Sequence, residues 1–147
     1  MATGISPRLR AIVDALPIGP ANRVLEIGCG PGAAARAVAR RLTTGHVLAT
    51  DRSPTAIAQA RRGSAPEIAS GRMSVRSVAA EDLALDDGEE PYDLVFAIRV
   101  GALDGRDPTT GIRALQRIAA VTGPDARLFV DGGDPLREIV IPRADPS

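Results

Sequence analysis

The sequence predicts an α/β fold built on a doubly wound, mostly parallel sheet, and three observations carry that prediction. Val24-Leu25-Glu26-Ile27 and Val47-Leu48-Ala49-Thr50-Asp51 are short, largely apolar runs. A strand with no polar face belongs in a parallel sheet covered by helices on both sides. The first run leads into three closely spaced glycines, Gly28, Gly30 and Gly32, and the second closes on an acid. Between them lies an Ala/Arg-rich helical segment, so that strand, helix and strand make one right-handed crossover unit. At 147 residues the chain, 1–147, reads as a single domain with room for its own core.

The elements follow in order. Ser6-Pro7 before Leu9, Ile12, Val13 and Leu16 is a capped amphipathic helix, ended by Pro17-Ile18-Gly19-Pro20. After the first strand a helix is expected from about Gly32 to Leu42, stopped by Thr43-Thr44-Gly45. The strand that starts at Val47 is followed by Ser53 as cap, Pro54 in the first helical position and Gly63 at the helix end. Residues 63–72, with Gly63, Pro66 and Gly71, read as a loop. Met73 to Val78 form a third strand running into Ala79-Ala80-Glu81-Asp82-Leu83, and Pro91 to Ile98 form a fourth. Asp107-Pro108 caps a helix to Val121 that Gly123-Pro124 stops, and Arg127 to Asp131 are strand five. Ile139-Val140-Ile141 can pair as one further strand after the Gly132-Gly133-Asp134-Pro135 turn.

The glycines make the end of the first strand a ligand floor, because they let the backbone turn sharply and let a ligand lie where any Cβ would clash. Spacing alone leaves two cofactor classes open. Gly28, Gly30 and Ala33 satisfy the G-x-G-x-x-A pattern of a dinucleotide site. Glu26 argues the other way. A carboxylate two residues before the turn suits the amine or sulfonium of S-adenosylmethionine better than a diphosphate. Asp51, at the end of the neighbouring strand, can accept both ribose hydroxyls of either adenosine cofactor. Arg52 beside it is read as solvated or stacking, since Asp51 would repel a 2′-phosphate.

Glu26-x-Gly28-x-Gly30-x-Gly32 resembles the first motif of class I S-adenosylmethionine-dependent methyltransferases. Ala79-Ala80-Glu81 resembles that family's second cofactor motif, Tyr92-Asp93-Leu94-Val95 its fourth strand, and Gly123-Pro124-Asp125-Ala126-Arg127-Leu128 the approach to its fifth. The likeness covers residues 20–131. It implies a Rossmann-like sheet of order 3-2-1-4-5 with a truncated C-terminal antiparallel part. It also implies S-adenosylmethionine as cofactor and S-adenosylhomocysteine as product. The cofactor contacts it implies are Glu26, Gly28, Cys29, Gly30, Gly32, Asp51, Arg52, Ala80, Glu81 and Ile98. Ala79 departs from the family, where a polar residue often binds the adenine amine, so the backbone carries more of adenine recognition here. Of the acids and arginines on the same sheet edge (Arg99, Asp104, Asp131 and Asp134), Arg99 and Asp131 are the candidates for touching substrate. The first helix is read equally as a lid or as a plain packing helix. The family continues beyond what Gly132 to Ser147 can supply, so a shortened C-terminus is expected; without the Ile139-Val140-Ile141 strand, strand five would be a bare edge that invites pairing, and a homodimer through or around this edge is expected.

Composition narrows the function. A formal net charge of zero and a pI near 6.6 give no footprint for nucleic acid or an anionic membrane, and 2% aromatics supply no stacking platform. No apolar run is long enough to span a bilayer, and a single cysteine fits a reducing cytoplasm. One His and one Cys cannot build a zinc site. His46 lies at the start of strand two, roughly 16 Å from the ligand edge at about 3.3 Å per residue, and reads as a surface histidine. The Cys29 thiol lacks a neighbouring cation and has Glu26 instead. The expected function is methyl transfer to a small-molecule acceptor. The alternative is a cofactor-binding module or partner subunit without activity of its own, and an NAD-dependent enzyme ranks below both.

Overall fold

The computed structural model describes residues 5–103 and 105–143. Six strands form one sheet in the order β3-β2-β1-β4-β5-β6, where β1 is Arg23–Ile27, β2 His46–Asp51, β3 Met73–Ser77, β4 Tyr92–Ala97, β5 Thr122–Asp131 and β6 Leu136–Ile139. All neighbours are parallel except β5 and β6. The order reverses between β1 and β4, which is where an open α/β sheet leaves a crevice beyond its C-terminal strand ends.

Side-chain alternation along each strand divides the interior into two layers. Val24, Val47, Leu94, Phe96 and Phe129 face the helices α1 (Pro7–Ala15), α2 (Ala33–Ala39), α3 (Pro54–Gly63) and α4 (Ala65–Ala69). Leu25, Leu48, Val95, Leu128 and Val130 face α5 (Pro108–Ala120) through Ala114 and Ile118. The caps act as the sequence suggests. Ser6 Oγ accepts the Leu9 N–H at 3.2 Å, Ser53 Oγ the Ala56 N–H at 3.2 Å, and Asp107 Oδ1 the Thr110 N–H at 3.2 Å.

Four expectations are corrected. The segment 63–72 is not all loop, since α4 occupies Ala65–Ala69 with Pro66 in its first turn, where a missing N–H costs nothing. The second helix stops at Ala39 rather than Leu42. Strand five starts at Thr122, because Pro124 lies in a register irregularity between the pairs Tyr92–Thr122 and Leu94–Arg127, one of the few strand positions that proline tolerates. Finally, the last strand is Leu136–Ile139, nearer the turn than Ile139-Val140-Ile141. Val140 is 86% exposed, while Ile141 is buried in the α5 layer. Strand five is therefore not a bare edge. β6 pairs with it antiparallel from Asp131–Leu136 to Leu128–Ile139.

Candidate functional site

β1 carries Glu26 into the middle of the sheet, in the cross-strand row Ala49, Glu26, Phe96, Phe129. Its flanking positions are apolar, so the carboxyl is 3% exposed. Burial pushes its pKa up to about 8. The N–H of Ala35 in the first turn of α2 partly offsets the rise, and the charge of Asp51 adds to it. Oε1 of Glu26 is buried without a hydrogen-bond partner. Such an atom is costly unless something else satisfies it.

Two cavities open at the C-terminal strand ends. The first, about 360 Å³, lies between α1 (Ser6, Arg8, Leu9) and the β1 turn (Glu26, Gly28, Cys29, Gly30), with Ile98 and Arg99 on its far wall. The second, about 350 Å³, is bounded by Asp51 and Arg52, by Val78 to Glu81 after β3, and by Arg99 to Ala102. Gly28 and Arg99 line both. Gly28 has φ +74, and a Cβ there would come within 2.7 Å of Val100 Cγ2, so the turn is built for glycine at this point. Gly32 faces elsewhere. It caps α2, where a Cβ would stand 3.2 Å from Ala60 Cβ in α3, and it lines neither cavity.

Asp51 shapes the turn as well as the second cavity. Its Oδ2 accepts the Gly30 N–H at 2.9 Å and its Oδ1 the Ser53 N–H at 2.9 Å. Each carboxylate oxygen keeps acceptor capacity for a hydroxyl. Arg52, largely exposed, reaches Glu81 at 3.5 Å across the same cavity. Glu81 sits with Ala80 in the 3₁₀ turn Ala80–Asp82, and its carbonyl accepts from Arg113 Nε at 3.0 Å.

Arg99 is the one non-glycine residue with positive φ (+58) among the described residues. Its N–H donates to Asp131 Oδ1 at 3.0 Å, and Asp131 Oδ2 pairs with Arg8 of α1 at 3.1 Å. Asp131 thus stands behind the rim and ties α1 and the β4 end to β5, without itself lining either cavity. Asp134 likewise lines neither, and Asp104 lies outside the described residues. Sequence reasoning missed Ser6, Arg8 and Leu9 in the lining. The available signal was the reading of the capped helix before β1 as a lid, which the family likeness implies without naming its residues.

Of the two residues set aside as catalytic groups in the sequence, His46 is apart from the site in space and Cys29 is not. His46 is at the opposite strand end, its Nδ1 2.8 Å from the Gly71 carbonyl and its Nε2 2.8 Å from Ser74 Oγ, and burial lowers its pKa despite that carbonyl. Cys29 lines the first cavity, but burial, then Glu26 and Asp51, push its thiol up to about 12, so it is no nucleophile at neutral pH. Among the described residues no group of three or more His, Cys, Asp or Glu could hold a metal ion, and no helix is long and apolar enough to cross a membrane.

An open parallel sheet with a bare-glycine turn over a buried acid at its switch point defines the class as Rossmann-like, of the class I S-adenosylmethionine-dependent methyltransferase type. Residues 24–125 match the methyltransferase domain family, and the chain belongs to it. It is 37% identical over 89 residues to a trans-aconitate 2-methyltransferase of Streptomyces avermitilis, covering 60% of this chain and 32% of that protein. To a malonyl-[acyl-carrier protein] O-methyltransferase of Halorhodospira halophila it is 31% identical over 119 residues, covering 81% and 38%. The chain thus spans about a third of the length of the curated relatives it matches. Its fold is also that of a TehB-like SAM-dependent methyltransferase from Corynebacterium glutamicum, with TM-score 0.61, 24% identity, and coverage of 88% of this chain and 65% of that one.

Proposed function

We propose that the chain binds S-adenosylmethionine across the two cavities and directs its methyl group to a small-molecule acceptor. The observation that carries this reading is the orphaned, buried Oε1 of Glu26 under a turn bare of side chains. A cationic ammonium compensates the charge of the ionised carboxyl and satisfies that oxygen, whereas the diphosphate of NAD would oppose its ionisation. The Gly28, Gly30, Ala33 spacing alone does not rescue the dinucleotide reading.

In this arrangement Glu26 and the Gly28-Cys29-Gly30 backbone hold the methionyl arm in the first cavity, beside Ile98. Asp51 accepts the ribose hydroxyls, and Ala80 and Glu81, with Arg52 at the mouth, enclose the adenine. When bound, the cofactor supplies an electrophilic methyl carbon on a sulfonium. The chain's residues align that carbon with the incoming atom and keep water away. The names of the two curated relatives, on trans-aconitate and on malonyl-[acyl-carrier protein], support an acceptor small at its reacting end.

The test is calorimetry with S-adenosylhomocysteine and, separately, with NAD. The expected result is saturable binding of S-adenosylhomocysteine alone; binding of NAD in its place ends the reading. Turnover with small acceptors then separates a working enzyme from a cofactor-binding module. A reducing cytoplasm fits the single buried thiol, and a homodimer at this end of the sheet would pair through β6, which light scattering reads directly.

A further inference from the structure

We propose that Arg99 is the recognition element for an anionic methyl acceptor, and that the acceptor group is a carboxylate. The inference rests on the reading that the two cavities hold the two arms of S-adenosylmethionine. Arg99 lines both cavities, which places the residue where they meet, and the junction of the adenosine and methionyl arms is the sulfur. The incoming nucleophile has to arrive there.

The backbone at this residue is held in a defined conformation. A left-handed conformation is unfavourable for arginine, yet Arg99 adopts φ +58, fixed by the bond from its N–H to Asp131. Asp131 is itself anchored through Arg8 on α1. Among the described residues no carboxylate is paired with the Arg99 guanidinium, while Arg8 has Asp131 and Arg52 has Glu81.

Charge then selects the acceptor. A guanidinium next to a sulfonium is repelled by it, and the arrangement becomes favourable when an anion lies between the two. A carboxylate meets that need and matches the guanidinium fork. It also suits the remaining chemistry. The acceptor oxygen forms its bond to the methyl carbon as the carbon–sulfur bond breaks, the sulfonium becomes a neutral thioether, and no proton moves. The lining acid Glu26 and the thiol Cys29, both held protonated at neutral pH in the free protein by their surroundings, are then not required as bases.

The experiment is calorimetry on the full chain saturated with S-adenosylhomocysteine, titrated with succinate, citrate and butyrate, and with succinamide as the neutral counterpart. At least one acid is expected to bind saturably and more weakly in higher salt, and succinamide not to bind. Arg99→Gln should weaken the acid about tenfold and leave S-adenosylhomocysteine affinity within about twofold. Arg99→Lys should recover part of the loss. Arg99→Gly relieves the backbone conformation as it removes the guanidinium, so it separates loss of binding from loss of folding. Binding of succinamide as tight as succinate, no saturable binding of any of the acids, or unchanged acid affinity in both Arg99→Gln and Arg99→Gly overturns the proposal. So does loss of S-adenosylhomocysteine instead of the acid, which would put the guanidinium on the cofactor's own carboxylate. Failure of the unaltered chain to bind S-adenosylhomocysteine removes the reading beneath it, a result distinct from all of these.

Discussion

The two ends of the sheet offer a direct contrast. At the N-terminal strand ends an open cleft of about 430 Å³ is lined by Arg23, Arg72, Arg76, His46, Glu89 and Tyr92, and it is more densely charged than either cavity at the other end. Its polar groups satisfy one another. Arg76 pairs with Asp86 at 3.1 Å and Glu89 at 3.2 Å, the Tyr92 hydroxyl donates to Glu89, and Arg72 Nη1 donates to the Thr43 and Gly45 carbonyls. Burial would raise the Glu89 carboxyl, but the bonds from Tyr92, Asp86 and Arg76 outweigh it and hold the group below its ordinary value. At the C-terminal ends the most buried acid, Glu26, keeps an oxygen with no partner. The other buried oxygen of this kind, on Glu67, belongs to a carboxylate already paired with Arg40 at 3.2 Å. What distinguishes a ligand site from a structural network is unmet hydrogen-bonding capacity beside open space, and neither charge density nor volume identifies it.

The largest expected effect tests that contrast at Glu26. Glu26→Ala should weaken S-adenosylhomocysteine by about a hundredfold or more, the loss expected when one partner of a buried charged pair is removed. Calorimetry that finds affinity within threefold of the unaltered chain breaks the contrast.

The pH dependence sharpens it. The empty protein holds Glu26 protonated up to about pH 8, whereas pairing with an ammonium needs the carboxylate. S-adenosylhomocysteine affinity should therefore rise between pH 6 and 8, and Glu26→Gln should flatten the profile. Stability runs the other way. The unfolded chain releases this proton above about 4.5 and the folded one retains it to about 8, so the group's contribution is full below 4.5 and is lost as pH rises through that window. Denaturation of the ligand-free chain should show a downward slope there that Glu26→Gln removes.

Asp51→Ala comes next, with about a tenfold loss of S-adenosylhomocysteine affinity, since it deletes the ribose acceptor and frees the Gly30 and Ser53 N–H groups. The smallest effect belongs to the other end of the sheet. His46→Ala should cost about 1 kcal/mol of stability through its two hydrogen bonds and leave S-adenosylhomocysteine affinity unchanged by calorimetry. A change in affinity there would mean the two ends are coupled.

Much of this was legible in the chain because it is local. The strands through β4, the caps at Ser6, Ser53 and Asp107, and the positions of Glu26, Gly28, Gly30 and Asp51 all follow from runs of a few residues and their punctuation, whereas the strand order came with the likeness to a known family. The misreadings arose where tertiary context overrode a local signal. Pro66 and Pro124 read as breakers, yet one sits in a first helical turn and the other at a strand irregularity. Gly32 shares the motif spacing but packs against α3, because the direction of a Cβ vector is set by the backbone turn and spacing does not report it.

The sequence by itself determined the sheet, the turn and the acid beneath it, since periodicity, glycine and burial act within a single crossover unit. Only the tertiary structure decided what stands opposite that turn. The Arg8–Asp131 pair joins residues 123 positions apart, and the left-handed backbone of Arg99 is held by a strand residue 32 positions later in the chain. Contacts of that kind depend on how packed elements meet, so no short stretch of sequence encodes them.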